Sequence, residues 1–583
     1  MALSSRIKRT GALLGPRQAR ARREDERRAA EEAAAEERRL AKVARRRREL
    51  LESDPATRAF EYHGEERIGR VVEGFTAADA AAHNLELVTR ALDRAEVPYF
   101  LVRGRSPLRH VVGVHRKQRK QFLEAMRELY TSSAVHAAAP VRGGGVEGES
   151  AYVDGALAPD VKSGLAMRFA EYLLSPAGRL MGGFEYGCDV EFWRDGETIA
   201  ARDNADEVLS RLRTVIPRQA LPGTLVAPRR NRVSDLLTRE ARTPATLRVR
   251  EREHPTYEPF TWRLVDDVDF PVDVVYTWVD GADPEHAAER ARHGGSAATV
   301  SALAANRSRF VDRQELRYSL RSLHTYAPFV RHVYLVTDAQ VPDWLDRSAE
   351  GITVVDHRDV FDDPEALPTF NSHAIGARLH HIDGLAERYL YFNDDVFLAG
   401  PVHAEDFFHA NGIARLPFSP FQLGAGAPLR DEVAPNSAGK NVRRLLHESF
   451  GRSITHKFKH VPHPQIREVM LELEERYTEE VERTVRSRFR SPEDIGFAAT
   501  LHHHYALLTG RAVPEEYRLR YIDIGGDDAA DKLAYLEQGE EVDFFCLNDL
   551  DTPPEAEERV SGMVRSFLEH RFPFPSPYEK PGA

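Results

Sequence analysis

At 583 residues the chain is too long for one ordinary core, and its length predicts three or four domains. A formal charge of −11 argues against a general nucleic-acid binder, and two cysteines, Cys188 and Cys546, exclude a disulfide framework or a cysteine zinc site. Hydrophobic and charged contents of 42% and 30% fit a soluble globular protein of a reducing compartment.

Residues 1–57 are rich in Arg, Glu and Ala, with few apolar positions between Arg22 and Leu51, and predict a charged helical or disordered arm. No apolar run approaches the roughly 20 residues of a bilayer span. The segment after Arg6, Lys8 and Arg9 is too short for a signal peptide. The expected location is the cytoplasm, with peripheral attachment to the inner face of a membrane left open. Residues 58–250 predict an accessory α/β domain. Helical spacing over 77–95 is followed by a buried-strand run at 97–102, a second helical pattern over 116–130 and an alternating strand at 184–193. No complete catalytic motif falls in this region. Prolines and charges over 217–262 predict irregular wrapping, with a linker at 251–270.

Residues 271–551 hold the chemistry, and 552–583 form a C-terminal extension. Strand signals recur at 273–279, 332–337, 352–355 and 389–392 between helical patterns, which predicts a mainly parallel sheet covered on both faces. Two of these strands end in acid. VDVVYTWVDGADP (272–284) places Asp273 and Asp280 on either side of a strand-forming run, and YLYFNDDVFL (389–398) ends a buried strand in Asn393, Asp394 and Asp395. In open α/β sheets ligands bind beyond the carboxyl ends of strands, so Asp280 and Asp394 are expected to face one cleft. Paired carboxylates there suit a divalent metal and, through it, a diphosphate. The same residues also fit an ordinary core strand with a polar exit and a strand-end turn with a solvated acidic pair.

Four further segments accompany these strands. DRQELRYSLRSL begins the 312–338 stretch, with Leu316, Leu320 and Leu323 on one helical face. LPTFNSHAI (367–375) is a turn-rich loop. His460-Val461-Pro462-His463 interrupts a mostly helical region. RFRSPEDIGFAATLHHHY runs from Arg488 to Tyr505. The run His502-His503-His504 reads as helix rather than metal site, because consecutive helical residues do not share a face.

Taken together these segments resemble the Stealth family, which includes bacterial capsule polymerases that transfer hexose-1-phosphate and the N-acetylglucosamine phosphotransferase of animals. DVVYTWVDG is similar to the family's first conserved region, the 312–398 stretch to the second, HVPHPQ to the third, and RSPEDIGFA through FFCLNDL (544–550) to the fourth. The match is in order and covers about half the chain. It departs at Gly376, where related sequences commonly carry Glu.

The resemblance implies a glycosyltransferase-A-like core with a helical insertion, and transfer of a sugar-1-phosphate from a nucleotide sugar, such as a UDP-N-acetylhexosamine, to a glycan hydroxyl. Nucleoside monophosphate would be released, in capsule or exopolysaccharide synthesis. It implies Mg²⁺ or Mn²⁺ on Asp394 and Asp395, with Asp549 a weaker third ligand. His460 becomes the general base and Arg490 the phosphate clamp. Glu315 orients the base or binds the sugar, and Asp273 is favoured for a catalytic role. Asp280, Arg313 and Asn371 are the candidates for nucleotide binding. Two other readings stay open: a metal-dependent glycosyltransferase releasing nucleoside diphosphate, and an inactive glycan-binding or assembly scaffold.

Overall fold

The structure, a computed structural model, describes residues 16–215, 217–294, 311–429 and 432–582. The chain divides into two compact units. Unit 1 comprises the described residues up to Val72, His83–Arg105 and Arg109–Tyr257. Unit 2 comprises Glu73–Ala82, Ser106–Leu108 and those from Glu258 onward.

Unit 1 opens with the helix Pro16–Ser53. Its residues from 24 to 42 are exposed, as expected for a surface of Arg, Glu and Lys. The last turns differ: Leu50 is buried with Ile68, Ala134, Ala151 and Val153, and Arg47 donates to both carboxylate oxygens of Asp154 at 2.8 Å. The end of the arm is thus part of the unit. A mixed sheet forms the body. Alternating residues of Val111–His115, Ala166–Glu171 and Cys188–Asp195 pack on the helix Arg119–Tyr130, with Val112, Val114, Met167, Phe169, Val190 and Phe192 meeting Phe122 and Met126. The proline-rich stretch after 217 is less irregular than its composition suggests. Pro244–Val249 and Arg252–Tyr257 form a hairpin that joins the sheet where Thr256 meets Leu101.

Unit 2 is built on a five-stranded sheet. Its strands are β1 (Val272–Thr277), β2 (Val330–Thr337), β3 (Ile352–Asp356), β4 (Arg388–Asn393) and, after a shorter strand β5 (Val396–Leu398), β6 (His463–Ile466). The order is β3-β2-β1-β4-β6. The first four are parallel and β6 is antiparallel to β4. Near-continuous burial of Val272–Tyr276 and Tyr389–Phe392 is what a parallel strand covered on both faces requires. Pro464 is tolerated because β6 is an edge strand. The strand order reverses between β1 and β4, which puts the crevice of this sheet beyond their carboxyl ends.

A three-stranded sheet abuts this crevice. β5 pairs antiparallel with β8 (Phe544–Asn548), and β8 lies parallel to β7 (Leu519–Asp523). Residues 552–582, set apart in the sequence reading, are bound into unit 2. Phe572 stacks on Phe397 and Phe545, and Glu579 accepts from Arg317 at 2.6 Å and from Arg321 at 2.7 Å. Among the described residues no helix is long and apolar enough to cross a membrane.

Candidate functional site

Asn393, Asp394 and Asp395 lie where the chain leaves one sheet for the next. β4 ends at Asn393 beside Thr277 of β1, and β5 begins at Val396 opposite Cys546 of β8. The two aspartates occupy the seam. The Leu547 N–H donates to the Asp395 carbonyl at 3.0 Å, fixing the turn.

Asp395 takes three side-chain donors. Its carboxylate accepts from Asn548 Nδ2 at 3.0 Å, from the Cys546 thiol at 3.4 Å and from His460 Nε2 at 3.1 Å. Burial pushes its pKa up, but the His460 charge and these hydrogen bonds outweigh burial and hold it below the usual carboxylate range. The effect is reciprocal. Burial pushes His460 down, yet Asp395 raises it above the ordinary imidazole value. The antiparallel run of β6 explains how His460 gets there: the chain enters β6 at the end where β4 leaves. With 34% of its side chain exposed, His460 is reachable from solvent. Asn393 Nδ2 also lies 2.9 Å from His460 Nε2. If Nε2–H is donated to Asp395, the Asn393 amide meets the ring through its carbonyl oxygen, and Nδ1 is the atom left to accept a proton.

Asp394 is held differently. Burial and the negative charges of Asp395, Glu315 and Asp312 hold it well above the carboxylate range. Glu315 opens the helix Glu315–Tyr326, and burial, with Asp312 beside it, pushes it up to about 7. Asp312 is raised by burial and by the charge of Asp280, just beyond β1. Gln314, between Asp312 and Glu315, adopts a left-handed backbone with φ 69°. A residue other than glycine held there costs about 1–3 kcal/mol, and such strain is concentrated at functional sites.

Arg490 reaches the same crevice. It donates to Ser372 Oγ at 2.7 Å, and its charge acts on Tyr391, as do those of Asp394 and Asp395. The Tyr391 hydroxyl lies 3.3 Å from Thr277 Oγ1 at the end of β1. Glu315, Asp280, Asp394, Asp395, His460 and Arg490 are therefore brought to one edge of the sheet.

Two other sequence candidates, Asp273 and Asn371, are not, and Arg313 and Asp549 lie beside Glu315 paired with each other. Asp273 is fully buried near the amino end of β1, where it accepts from Arg331 Nε at 2.8 Å and from the Ala386 N–H at 2.7 Å. Four residues of strand, about 13 Å, separate it from Thr277. Arg313 is 2% exposed and bound to Asp549 at 2.6 Å, with Glu315 3.8 Å from its guanidinium, so Arg313 and Asp549 each already have a protein partner. Asn371 is buried, donating to Asp494 at 2.8 Å and to the Ser487 carbonyl at 2.9 Å, which ties its helix cap to the loop carrying Arg490. Asp312, Asn393, Cys546 and Asn548 were not among the expected site residues. Cys546 and Asn548 carry a readable signal: they are two apart on a strand and so share a face.

The residues around Asp394 fit a hard divalent cation. The charges of Asp395, Glu315 and Asp312 all act on Asp394, while Asp395 is paired with His460 and Arg313 reaches Asp549 and Glu315; carboxylates are the donors such a cation prefers. Asp395, His460 and Cys546 also converge, a mixed set suited to a softer metal. A third group, His380, His381 and Glu474, already has the Arg378 guanidinium on its carboxylate.

Models of the four Stealth conserved regions match the chain at residues 270–296, 309–416, 459–507 and 536–583, in that order, so RSPEDIGFA, read from the sequence as part of the fourth region, falls in the third. The chain is 40% identical over 524 residues to exopolysaccharide phosphotransferase SCO6023 of Streptomyces coelicolor, covering 89% of this chain and 85% of the relative. It is 33% identical over 526 residues to exopolysaccharide phosphotransferase CpsY of Mycobacterium tuberculosis, covering 88% of this chain and 91% of that one. Among solved structures, apo mouse xyloside xylosyltransferase 1 overlaps 49% of this chain and 100% of its own, at 11% identity and a TM-score of 0.24.

Proposed function

The chain belongs to the Stealth family, and we propose that it transfers a sugar-1-phosphate from a nucleotide sugar to a glycan hydroxyl in exopolysaccharide synthesis. The carrying observation is that residues from all four conserved regions meet at the seam of β4, β5 and β8, where His460 and Asp395 form a charge-assisted pair.

In this reading the acceptor oxygen attacks the phosphorus that bears the sugar. The bond from that phosphorus to the bridging oxygen breaks, and nucleoside monophosphate leaves with the second phosphate. His460 takes the acceptor proton at Nδ1 while Asp395 steadies the imidazolium at Nε2. Arg490 offers a planar fork to the phosphoryl oxygens. Glu315 and Asp280 line the donor side. Asp394 and Asp395 would hold Mg²⁺ or Mn²⁺, which supplies charge neutralisation for the diphosphate.

Incubation with a panel of nucleotide sugars and Mg²⁺, scoring the nucleotide released, tests the reading. Release of monophosphate that stops in excess chelator is expected. Release of nucleoside diphosphate would make the protein a glycosyltransferase, and full activity in chelator would remove the metal.

A further inference from the structure

The buried imidazoles of His502 and His503 belong to a chain of hydrogen bonds that the reaction above does not use. It starts at a backbone group. The Ile466 N–H donates to His502 Nε2 at 3.0 Å. His502 Nδ1 lies 3.0 Å from His503 Nδ1, and His503 Nε2 lies 3.0 Å from His463 Nδ1. Burial first, and then the neighbouring cations and imidazoles, drive all three rings toward the neutral form: His463 and His502 down to about 3, and His503 well below its ordinary value.

A neutral imidazole carries one proton, and a peptide N–H can only donate. His502 Nε2 is therefore bare and its proton sits on Nδ1. That proton is given to His503 Nδ1, so His503 carries its own proton on Nε2. This one is given to His463 Nδ1, and His463 must carry its proton on Nε2. The opposite polarity would set the Ile466 N–H against a second N–H and leave it unpaired in the core. Because the chain ends on a peptide group, no proton can pass along it. It is a lock rather than a relay.

His463 is well placed for this to matter. It pairs with Tyr391 across the β4–β6 ladder, with the two rings 6.4 Å apart. Tyr391 is the residue on which Arg490, Asp394 and Asp395 all act. We propose that His502 and His503 are positioning residues that lock His463 as its Nε2–H tautomer. His463 is then a hydrogen-bond donor toward an oxygen of the substrate, and His460 is the one histidine of the His460–His463 segment able to take a proton. The inference rests on the reading of His460 as the base.

Two measurements test it. Neutron diffraction from a deuterated crystal of the full chain should show deuterium on His463 Nε2 and a bare Nδ1, whatever the activity. Steady-state kinetics of His463→Gln, His463→Phe, His503→Gln and His460→Gln follow, with the donor that supports turnover in the panel. A glutamine amide can donate where Nε2–H does but cannot act as a base, so His463→Gln should lose less kcat/KM than His463→Phe and far less than His460→Gln. His463→Phe should raise the donor KM about tenfold with a smaller change in kcat, as expected for one lost hydrogen bond. His503→Gln preserves the polarity, accepting at oxygen and donating at nitrogen, and should resemble wild type. Deuterium on His463 Nδ1, or His463→Gln falling as far as His460→Gln, would overturn the inference. An active His460→Gln would instead sink the base assignment while leaving the neutron result standing. If His463→Gln does not fold, the neutron result decides alone.

Discussion

Neighbouring carboxyl groups in this protein are pushed in opposite directions by what surrounds them. Asp395 is lowered by three side-chain donors, whereas Asp394 and Glu315 are raised by burial among like charges. Glu315 gives the cleaner test. Its pKa of about 7 when folded exceeds the 4.5 of the free side chain, so protonated Glu315 favours the fold. That contribution is complete below about pH 4.5 and is lost as pH rises through about 7. Without divalent metal, stability to urea should decline between about pH 5 and pH 8. Glu315→Gln keeps an acceptor for the Arg313 N–H, bound at 2.6 Å, and should flatten the decline. At pH 8 the variant should exceed wild type by about 3 kcal/mol. Parallel curves for the two proteins would contradict the assignment. Asp394→Asn should stabilise the metal-free protein for the same reason, yet lower kcat by at least about two orders of magnitude. A variant with kcat near wild type would show that Asp394 is outside the chemistry. The positions of Asp394, Asp395 and Asp280 past the carboxyl ends of β4 and β1 were legible in the sequence, since a buried parallel strand must end at the crevice. The place of Asp273 was not legible, because an acid at the amino end of a strand looks like one at its carboxyl end until Arg331 and the Ala386 N–H are found on it.

Strand polarity explains most of what each element does here. β1 and β4 are apolar enough to be read directly, and their parallel pairing follows from burial on both faces. β6 was hidden in a proline-rich interruption, and only its antiparallel pairing reveals why His460 arrives at the carboxyl end of β4. Partners far apart in the chain were illegible for a simpler reason: no local pattern encodes them. Arg313 looks like a ligand-binding arginine until Asp549 is found 2.6 Å away. The C-terminal stretch 552–583 was set apart as an extension, yet Glu579 is buried between Arg317 and Arg321 of the helix Glu315–Tyr326. Removing one member of such a buried network strands the others. Glu579→Ala should therefore cost about 3–5 kcal/mol in denaturant unfolding. A loss under about 1 kcal/mol would mean that the tail is peripheral to this helix.

At the scale of the whole molecule the chain divides into two compact units. Unit 1 takes in the end of the helical arm through Leu50 and Arg47, and unit 2 takes in the C-terminal tail. The relatives align over 88–89% of the chain, so the likeness extends well beyond the half that carries the four conserved regions. Gly376, the noted departure, sits where an added Cβ would meet Ala498 Cβ at 3.6 Å, an ordinary contact, so the backbone leaves room for a side chain to begin there. All of this converges on the claim that the acceptor attacks phosphorus rather than sugar carbon. The most direct measurement uses a nucleotide sugar radiolabelled on the phosphate next to the sugar. Label retained in the glycan product as an acid-labile diester, lost in His460→Ala while donor binding persists, is the predicted result; label leaving with the nucleotide would contradict it.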